Sequence, residues 1–290
     1  MNLKNVENLA LVGCGVRGIA EAGALSVFEK YGLDKQIKNV ACVSAGAIVG
    51  TLFSCGYGSQ QIKTIIKSTD FKSFEDGNVF DFPNDFSEYG LHPATTFSRW
   101  LKELIHGATG EENSTFADWK AKGFKNLVVF ACNMNTQSIK RFDADLTPNI
   151  KVWEAVRCSM SIPWFFRAYK LEGDIYNDGG LVYNYPIDAF DTDGVNDKTI
   201  GIHFNDLGQP QPRTNLAFGE IKKMVSAQWS MLLNAQNFVL GKQPENTQRT
   251  ICIDGLGISA TDFGLSVAQE EALYSSGQEA VELAFQSQSK

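Results

Sequence analysis

The 290-residue sequence predicts an α/β fold, a three-layer α/β/α arrangement around a central, mostly parallel sheet. Three observations lead there. Short apolar runs alternate with segments of helical period. A glycine loop, Gly13-Cys14-Gly15-Val16-Arg17-Gly18, stands between the first such run and the first helix. A lone serine, Ser44, stands between the second run and the second helix. Strand, turn and helix repeated in this order call for parallel strands joined by helical crossovers.

Leu9-Ala10-Leu11-Val12 reads as a buried strand ending at Gly13. Ile19, Ala22, Leu25 and Phe28 then recur at helical spacing, with Gly32 as the stop. Val40-Ala41-Cys42-Val43 is the second strand, and Ala45 to Cys55 a helix apolar on every side. Ser59 is the expected cap of a helix that turns Ile62, Ile65 and Ile66 inward. Residues 70–97 break the pattern, rich in Asp, Phe, Gly, Pro and Ser without a period; such a stretch is either disordered or a cover over a site, and its phenylalanines favour an ordered, partly apolar flap. Helices are expected around Phe97 to His106 and Thr115 to Lys122. Leu127 to Cys132 is a central strand with Ser138 to Phe142 beside it, and Val152 to Met160 is helical. Tyr169 to Tyr176 forms a hairpin leading to Asp178, and Thr199 to Phe204 is another strand. A helix over Leu216 to Leu240, a strand at Thr250 to Ile253 and a helix over Ser266 to Phe285 complete the chain. No repeat or linker divides it, so residues 1–290 read as one domain.

Composition narrows the function. The chain is 43% hydrophobic and 20% charged, ordinary for a globular protein with a large core. A net charge of -7 without a basic run argues against nucleic acid as a partner. No apolar run is long enough to span a bilayer, and the N-terminus lacks the regions of a cleavable signal, so the expected location is cytoplasmic, or one reached by a route that leaves no cleavable signal. Six cysteines, at 14, 42, 55, 132, 158 and 252, lie mostly in apolar segments and lack zinc-site spacing. They read as reduced thiols, and no metal or organic cofactor is expected.

The loop at 13 to 18 fits G-x-G-x-x-G, the dinucleotide pattern, letter by letter. That pattern also requires an acid at the end of the second strand, where this chain has Val43-Ser44. The same backbone N–H groups, beside a helix N-terminus, suit an oxyanion equally well. Arg17 either adds positive charge toward a phosphate head group or pairs with a surface carboxylate.

Ser44 is placed as the exposed hydroxyl of a strand-turn-helix elbow, Cys42-Val43-Ser44-Ala45-Gly46; the plainer reading makes it an N-cap. Asp178-Gly179-Gly180 puts a carboxylate on a glycine turn, which alone is an ordinary surface turn. A Ser, Asp, His triad in that order leaves only His203, inside an apolar strand; His92 and His106 come too early. A dyad in which Asp178 takes the Ser44 proton needs no histidine, provided that burial raises the basicity of its carboxylate.

These blocks together resemble the patatin-like phospholipases, serine acyl hydrolases with a Ser-Asp dyad. The loop at 13 to 18 resembles the family's G-G-G-x-R/K-G oxyanion loop, residues 42 to 46 its G-x-S-x-G elbow, and residues 178 to 180 its D-G-G/A motif. Ser159-Met160-Ser161-Ile162-Pro163 is similar to its S-x-x-x-P block, and Leu181 to Pro186 to its run into N-x-P. Cys14 and Cys42 stand where the family carries glycine. The resemblance implies Ser44 as nucleophile, Asp178 as base, N–H groups of residues 13 to 18 as oxyanion donors, no cofactor, and a phospholipid or other acyl-lipid substrate met by peripheral membrane contact, with residues 70–97 as a lid or lipid-contact segment. A second class stays open: a lipid-binding or regulatory protein of the same fold whose oxyanion geometry is spoiled by Cys14 or Cys42.

Overall fold

Each apolar run becomes a strand and each periodic segment a helix. In the computed structural model, which describes residues 3–77, 89–205, 221–260 and 264–287, β1 (Asn8–Leu11) leads through the glycine loop into α1 (Gly18–Tyr31), α2 (Leu33–Gln36) and β2 (Asn39–Val43). Helices α3 (Ala45–Ser54) and α4 (Ser59–Ser68) follow, then β3 (Gly90–His92), α5 (Thr95–Thr109) and α6 (Phe116–Ala121). Strand β4 (Asn126–Asn133) precedes β5 (Ser138–Phe142), α7 (Val152–Ser159), β6 (Trp164–Phe166), β7 (Tyr169–Leu171) and β8 (Asp174–Asp178). Next come β9 (Thr199–Phe204), α8 (Ile221–Leu240), α9 (Pro244–Thr247), β10 (Thr250–Ile253) and α10 (Val267–Ser287).

The central sheet runs β10-β9-β1-β2-β4-β8-β7, with β5 on the second edge of β4. Strands β10, β9, β1, β2 and β4 are mutually parallel, while β8, β7 and β5 are antiparallel additions. The chain proceeds from β1 toward β2 and β4, then returns to add β9 on the other side of β1. The loop after β1 therefore lies at the point where strand order reverses, where open α/β sheets bind ligands.

Alternation along the strands separates two apolar layers. Val40 and Cys42 of β2, with Leu127, Val129 and Ala131 of β4, face the main core with Ile19, Leu25, Ile48 and Leu52. Ala41, Val43, Val128 and Phe130 face the opposite side, where Tyr183, Ala189 and Phe190 pack on them. On the first side α1 packs against both α4 and α10.

Several local expectations need correction. Ser59 does not cap α4: it is the first helical residue, and its N–H and hydroxyl both donate to Glu29 of α1, at 2.5 and 2.6 Å. The helix expected from Leu216 is described from Ile221 onward, residues 216–220 lying outside the described residues. Of the proposed lid, residues 78–88 also lie outside them. Its remaining phenylalanines are not an exposed surface. Phe74 and Phe97 are buried and pack on each other and on Trp100, and Phe71 is partly buried against the same core. Asp76, from the same stretch, accepts the Ala94 and Thr96 N–H groups at 2.8 Å each and so caps α5. Cys14, Cys42, Cys132 and Cys158 are buried and Cys55 is partly buried, whereas Cys252 is exposed although it lies in an apolar strand.

Candidate active site

Strand β4 is the template that brings distant residues together. Along one edge, Val43 of β2 pairs with Phe130 in parallel register, and β2 ends there. On the same edge β8 arrives from the opposite direction, and its last residue, Asp178, pairs with Ala131. The residue after Val43 is Ser44. Two strands meeting head-on over neighbouring positions of a third thus place residues 44 and 178 side by side.

Ser44 has φ 53° and ψ -131°, a backbone conformation that costs a non-glycine residue about 1–3 kcal/mol. The surroundings impose it. Its N–H donates to Ser159 Oγ at 2.8 Å, and its carbonyl accepts the Ala47 N–H at 2.8 Å. Two residues on, a Cβ at Gly46 would stand 2.5 Å from the Val12 carbonyl oxygen, so only glycine lets α3 start this close to the end of β1. The N-cap reading is not what the hydroxyl does. Ser44 Oγ makes no capping bond to α3; it donates to Asp178 Oδ2 at 2.7 Å.

Asp178 is fully buried, and its other oxygen, Oδ1, accepts the Gly180 N–H at 2.7 Å. The turn reading is thus half correct: one oxygen organises the turn while the other holds the serine. Burial pushes the carboxyl pKa up to about 7, against the opposing pull of the Ser44 hydroxyl and the Gly180 N–H. A group balanced there accepts a proton at neutral pH far more readily than a solvated carboxylate. Gly179 is required because a Cβ would meet the Phe130 carbonyl oxygen at 2.6 Å.

In the glycine loop, most N–H groups already have partners. Gly13 donates to the Asn184 carbonyl at 2.9 Å, Val16 to that of Ala260 at 3.0 Å, Arg17 to that of Cys14 at 3.3 Å, and Gly18 to that of Gly15. Among the described residues, this leaves the Cys14 and Gly15 N–H groups without a backbone partner. The conformations explain the sequence. Cys14 has φ -130°, open to any residue, whereas Gly15 has φ +57°, and a Cβ there would lie 1.9 Å from the Ala260 carbonyl oxygen. Cys42 fits because α3 opposes it with Gly50, where a Cβ would be 2.9 Å from the Cys42 sulfur. Both thiols are buried, and burial raises their pKa well above the ordinary value. Glu21 is buried beside Cys14 and its pKa is likewise raised, chiefly by loss of water.

Three supporting residues carry roles that the sequence left unassigned. Ser159 orients the Ser44 backbone. Asn184 clips the loop, its Nδ2 donating to the Gly13 carbonyl at 2.9 Å while its own carbonyl accepts from Gly13. Gln236 of α8 accepts the Asn184 N–H at 2.7 Å and donates to the Gly180 carbonyl at 2.9 Å, tying loop, aspartate turn and helix together. The first two lie in motif blocks. Gln236 lies in none, and no pattern in the chain announces it. Arg17 stacks on Phe204 at 4.1 Å and turns its Nε back to the Cys14 carbonyl at 3.4 Å.

The histidines lie elsewhere. His203 is buried in β9, where Nδ1 contacts the Phe204 carbonyl at 2.7 Å and the ring packs on Tyr185, a core histidine as its apolar strand suggests. His92 Nδ1 meets the Asp76 carbonyl at 3.0 Å, and His106 is exposed on α5. Among the described residues, no His, Cys, Asp and Glu side chains gather as a metal site, and no helix is long and apolar enough to cross a membrane.

The model of the patatin-like phospholipase family matches residues 9–191. The chain is 30% identical over 277 residues to an uncharacterized protein of Acanthamoeba polyphaga mimivirus, covering 94% of this chain and 91% of that one. It is 29% identical to the uncharacterized protein YqhO of Bacillus subtilis, covering 93% and 95%. A probable lipid hydrolase of Invertebrate iridescent virus 6 is 26% identical over 64% of this chain and 63% of its own length. Among solved structures, VipD from Legionella pneumophila superposes with a TM-score of 0.66 at 16% identity, covering 98% of this chain and 67% of that one. The chain belongs to the patatin-like phospholipase family, and its general activity is that of a lipid acyl hydrolase.

Proposed function

We propose that the protein cleaves fatty-acyl esters of phospholipids or lysophospholipids through a Ser44-Asp178 dyad and an acyl-enzyme. The observation that carries this reading is the 2.7 Å bond from Ser44 Oγ to a fully buried Asp178 whose other oxygen is fixed by Gly180. Ser44 Oγ attacks the ester carbonyl carbon as its proton passes to Asp178 Oδ2. The carbonyl oxygen takes up negative charge and is held by the Cys14 and Gly15 N–H groups, the two that the loop leaves available. Collapse of the tetrahedral adduct breaks the bond to the alcohol oxygen, which leaves with the proton from Asp178. Water then attacks the acyl-serine, giving its proton to the same carboxylate, and the fatty acid departs as Ser44 recovers its hydrogen.

No cofactor takes part in these steps. The protein meets its substrate at a lipid surface as a peripheral protein. Lysophosphatidylcholine hydrolysis tests the reading: wild type releases fatty acid, and Ser44→Ala falls by at least about 10³-fold with unchanged circular dichroism. No fatty-acid release by folded wild type would assign the fold to lipid binding without catalysis, and equal release by the two proteins would remove Ser44 as nucleophile.

A further inference from the structure

Helix α8 has two faces of different character. Its inner face carries Gln236, which holds the aspartate turn, and packs on residues 179–181. Its outer face is mostly apolar and exposed, interrupted by Gln228: Met224 is 47% exposed, Met231 70%, Leu232 45%, Phe238 53% and Val239 57%. Residues 224, 231 and 238 recur every seventh position, with 232 and 239 alongside, so they form one stripe. Val182, next to the aspartate turn on which α8 packs, is also 61% exposed. In a chain of net charge -7, residues 221–240 contain no Asp or Glu and begin with lysines at 222 and 223. Lys242, just beyond, is exposed and lies over the Phe238 ring at 3.9 Å.

We propose that the outer face of α8 docks the protein on anionic phospholipid bilayers, with Met231 and Phe238 entering the acyl region and lysines meeting the head groups. An exposed apolar stripe that holds no acid and has Lys222, Lys223 and Lys242 near its ends, against Glu220 and Glu245 in the flanking sequence, suits a lipid interface, where apolar burial and charge attraction act together. The inner side of the same helix holds the Asp178 turn, so docking sets the Ser44-Asp178 pair one helix layer from the lipid surface. That consequence rests on the acyl hydrolase reading; the docking itself does not.

The test compares wild type, Met231→Glu/Phe238→Glu and Ser44→Ala. Each is co-sedimented with vesicles of phosphatidylcholine and phosphatidylglycerol and with phosphatidylcholine alone. Each is also assayed on a soluble short-chain nitrophenyl ester and weighed by light scattering. The double variant is expected to lose at least about tenfold in vesicle partitioning while keeping its short-chain rate and melting temperature. Ser44→Ala is expected to bind vesicles like wild type and to lose the ester rate. Wild-type vesicle binding by the double variant overturns the proposal, as does a change from dimer to monomer with vesicle binding unaltered, which would make the face a self-association surface. Vesicle binding without ester hydrolysis in wild type leaves the docking face standing and removes the dyad. If the double variant does not fold, Met231→Trp replaces it. Quenching of the added fluorescence by vesicles with brominated acyl chains is expected, and no quenching above wild type overturns the proposal.

Discussion

Asp178→Asn is expected to abolish ester hydrolysis and, at the same time, to make the protein more stable. Asparagine has nearly the same shape, and its Oδ1 can still accept the Gly180 N–H that holds the turn. It has no basic carboxylate to take the Ser44 proton, so kcat should fall by at least about 10³-fold. The stability gain follows from the direction of the pKa shift. The folded protein holds the carboxyl at about 7, above its ordinary 3.8, so the folded state binds the proton more tightly than the unfolded chain. Stability from this group is therefore full below the ordinary value and declines as pH rises through about 7. A gap of this size corresponds to roughly 4 kcal/mol at alkaline pH, an upper figure because a neutral amide solvates the serine less well. Asp178→Asn should melt several degrees above wild type near pH ~8, with an advantage that shrinks toward pH ~5. A lower melting temperature at alkaline pH, or retained turnover, would refute the role given to this carboxylate.

Gly15→Ala carries the second large effect, and it isolates the proposed oxyanion loop from the proposed dyad. A Cβ at this position meets the Ala260 carbonyl oxygen at 1.9 Å, and the backbone sits at φ +57°. The loop has to move to admit the methyl group, taking with it the Cys14 and Gly15 N–H groups proposed to hold the oxyanion. Loss of oxyanion donors costs about 10²–10³-fold in kcat. Cys14→Ala should retain most of the activity, because residue 14 keeps an ordinary φ of -130° and offers only its N–H. The reverse order of severity would mean that the Cys14 thiol, rather than the loop backbone, contributes to turnover.

The contrast between residues 14 and 15 also shows what a one-dimensional reading can and cannot supply. The parallel strands and the elbow were legible because apolar runs and glycines are local signals. The pairing of Ser44 with Asp178 was legible as chemistry, from the elbow, the glycine turn and the lack of a well-placed histidine, but its geometry was not, since the approach passes through β4, which touches both strands without belonging to either motif. The tolerance of Cys42 depends on Gly50 across the interface with α3, eight positions away and unremarkable in sequence. Gln236 was invisible for the same reason: its partners, Gly180 and Asn184, stand over fifty residues earlier. The phenylalanines of the aperiodic stretch misled because composition reports apolar content, not direction. Phe74 and Phe97 satisfy that content inward, against each other and Trp100.

The central claim is that a buried carboxylate with a pKa of about 7 activates one serine hydroxyl. The rate of covalent labelling by a soluble fluorophosphonate, followed by intact mass across pH, reads that activation without any lipid interface. The account predicts a single adduct on the peptide containing Ser44, forming at a rate that rises with pH, levels off above about 7 and all but vanishes in Asp178→Asn. Labelling of Ser44 at a rate indifferent to pH and to loss of the carboxylate would contradict it.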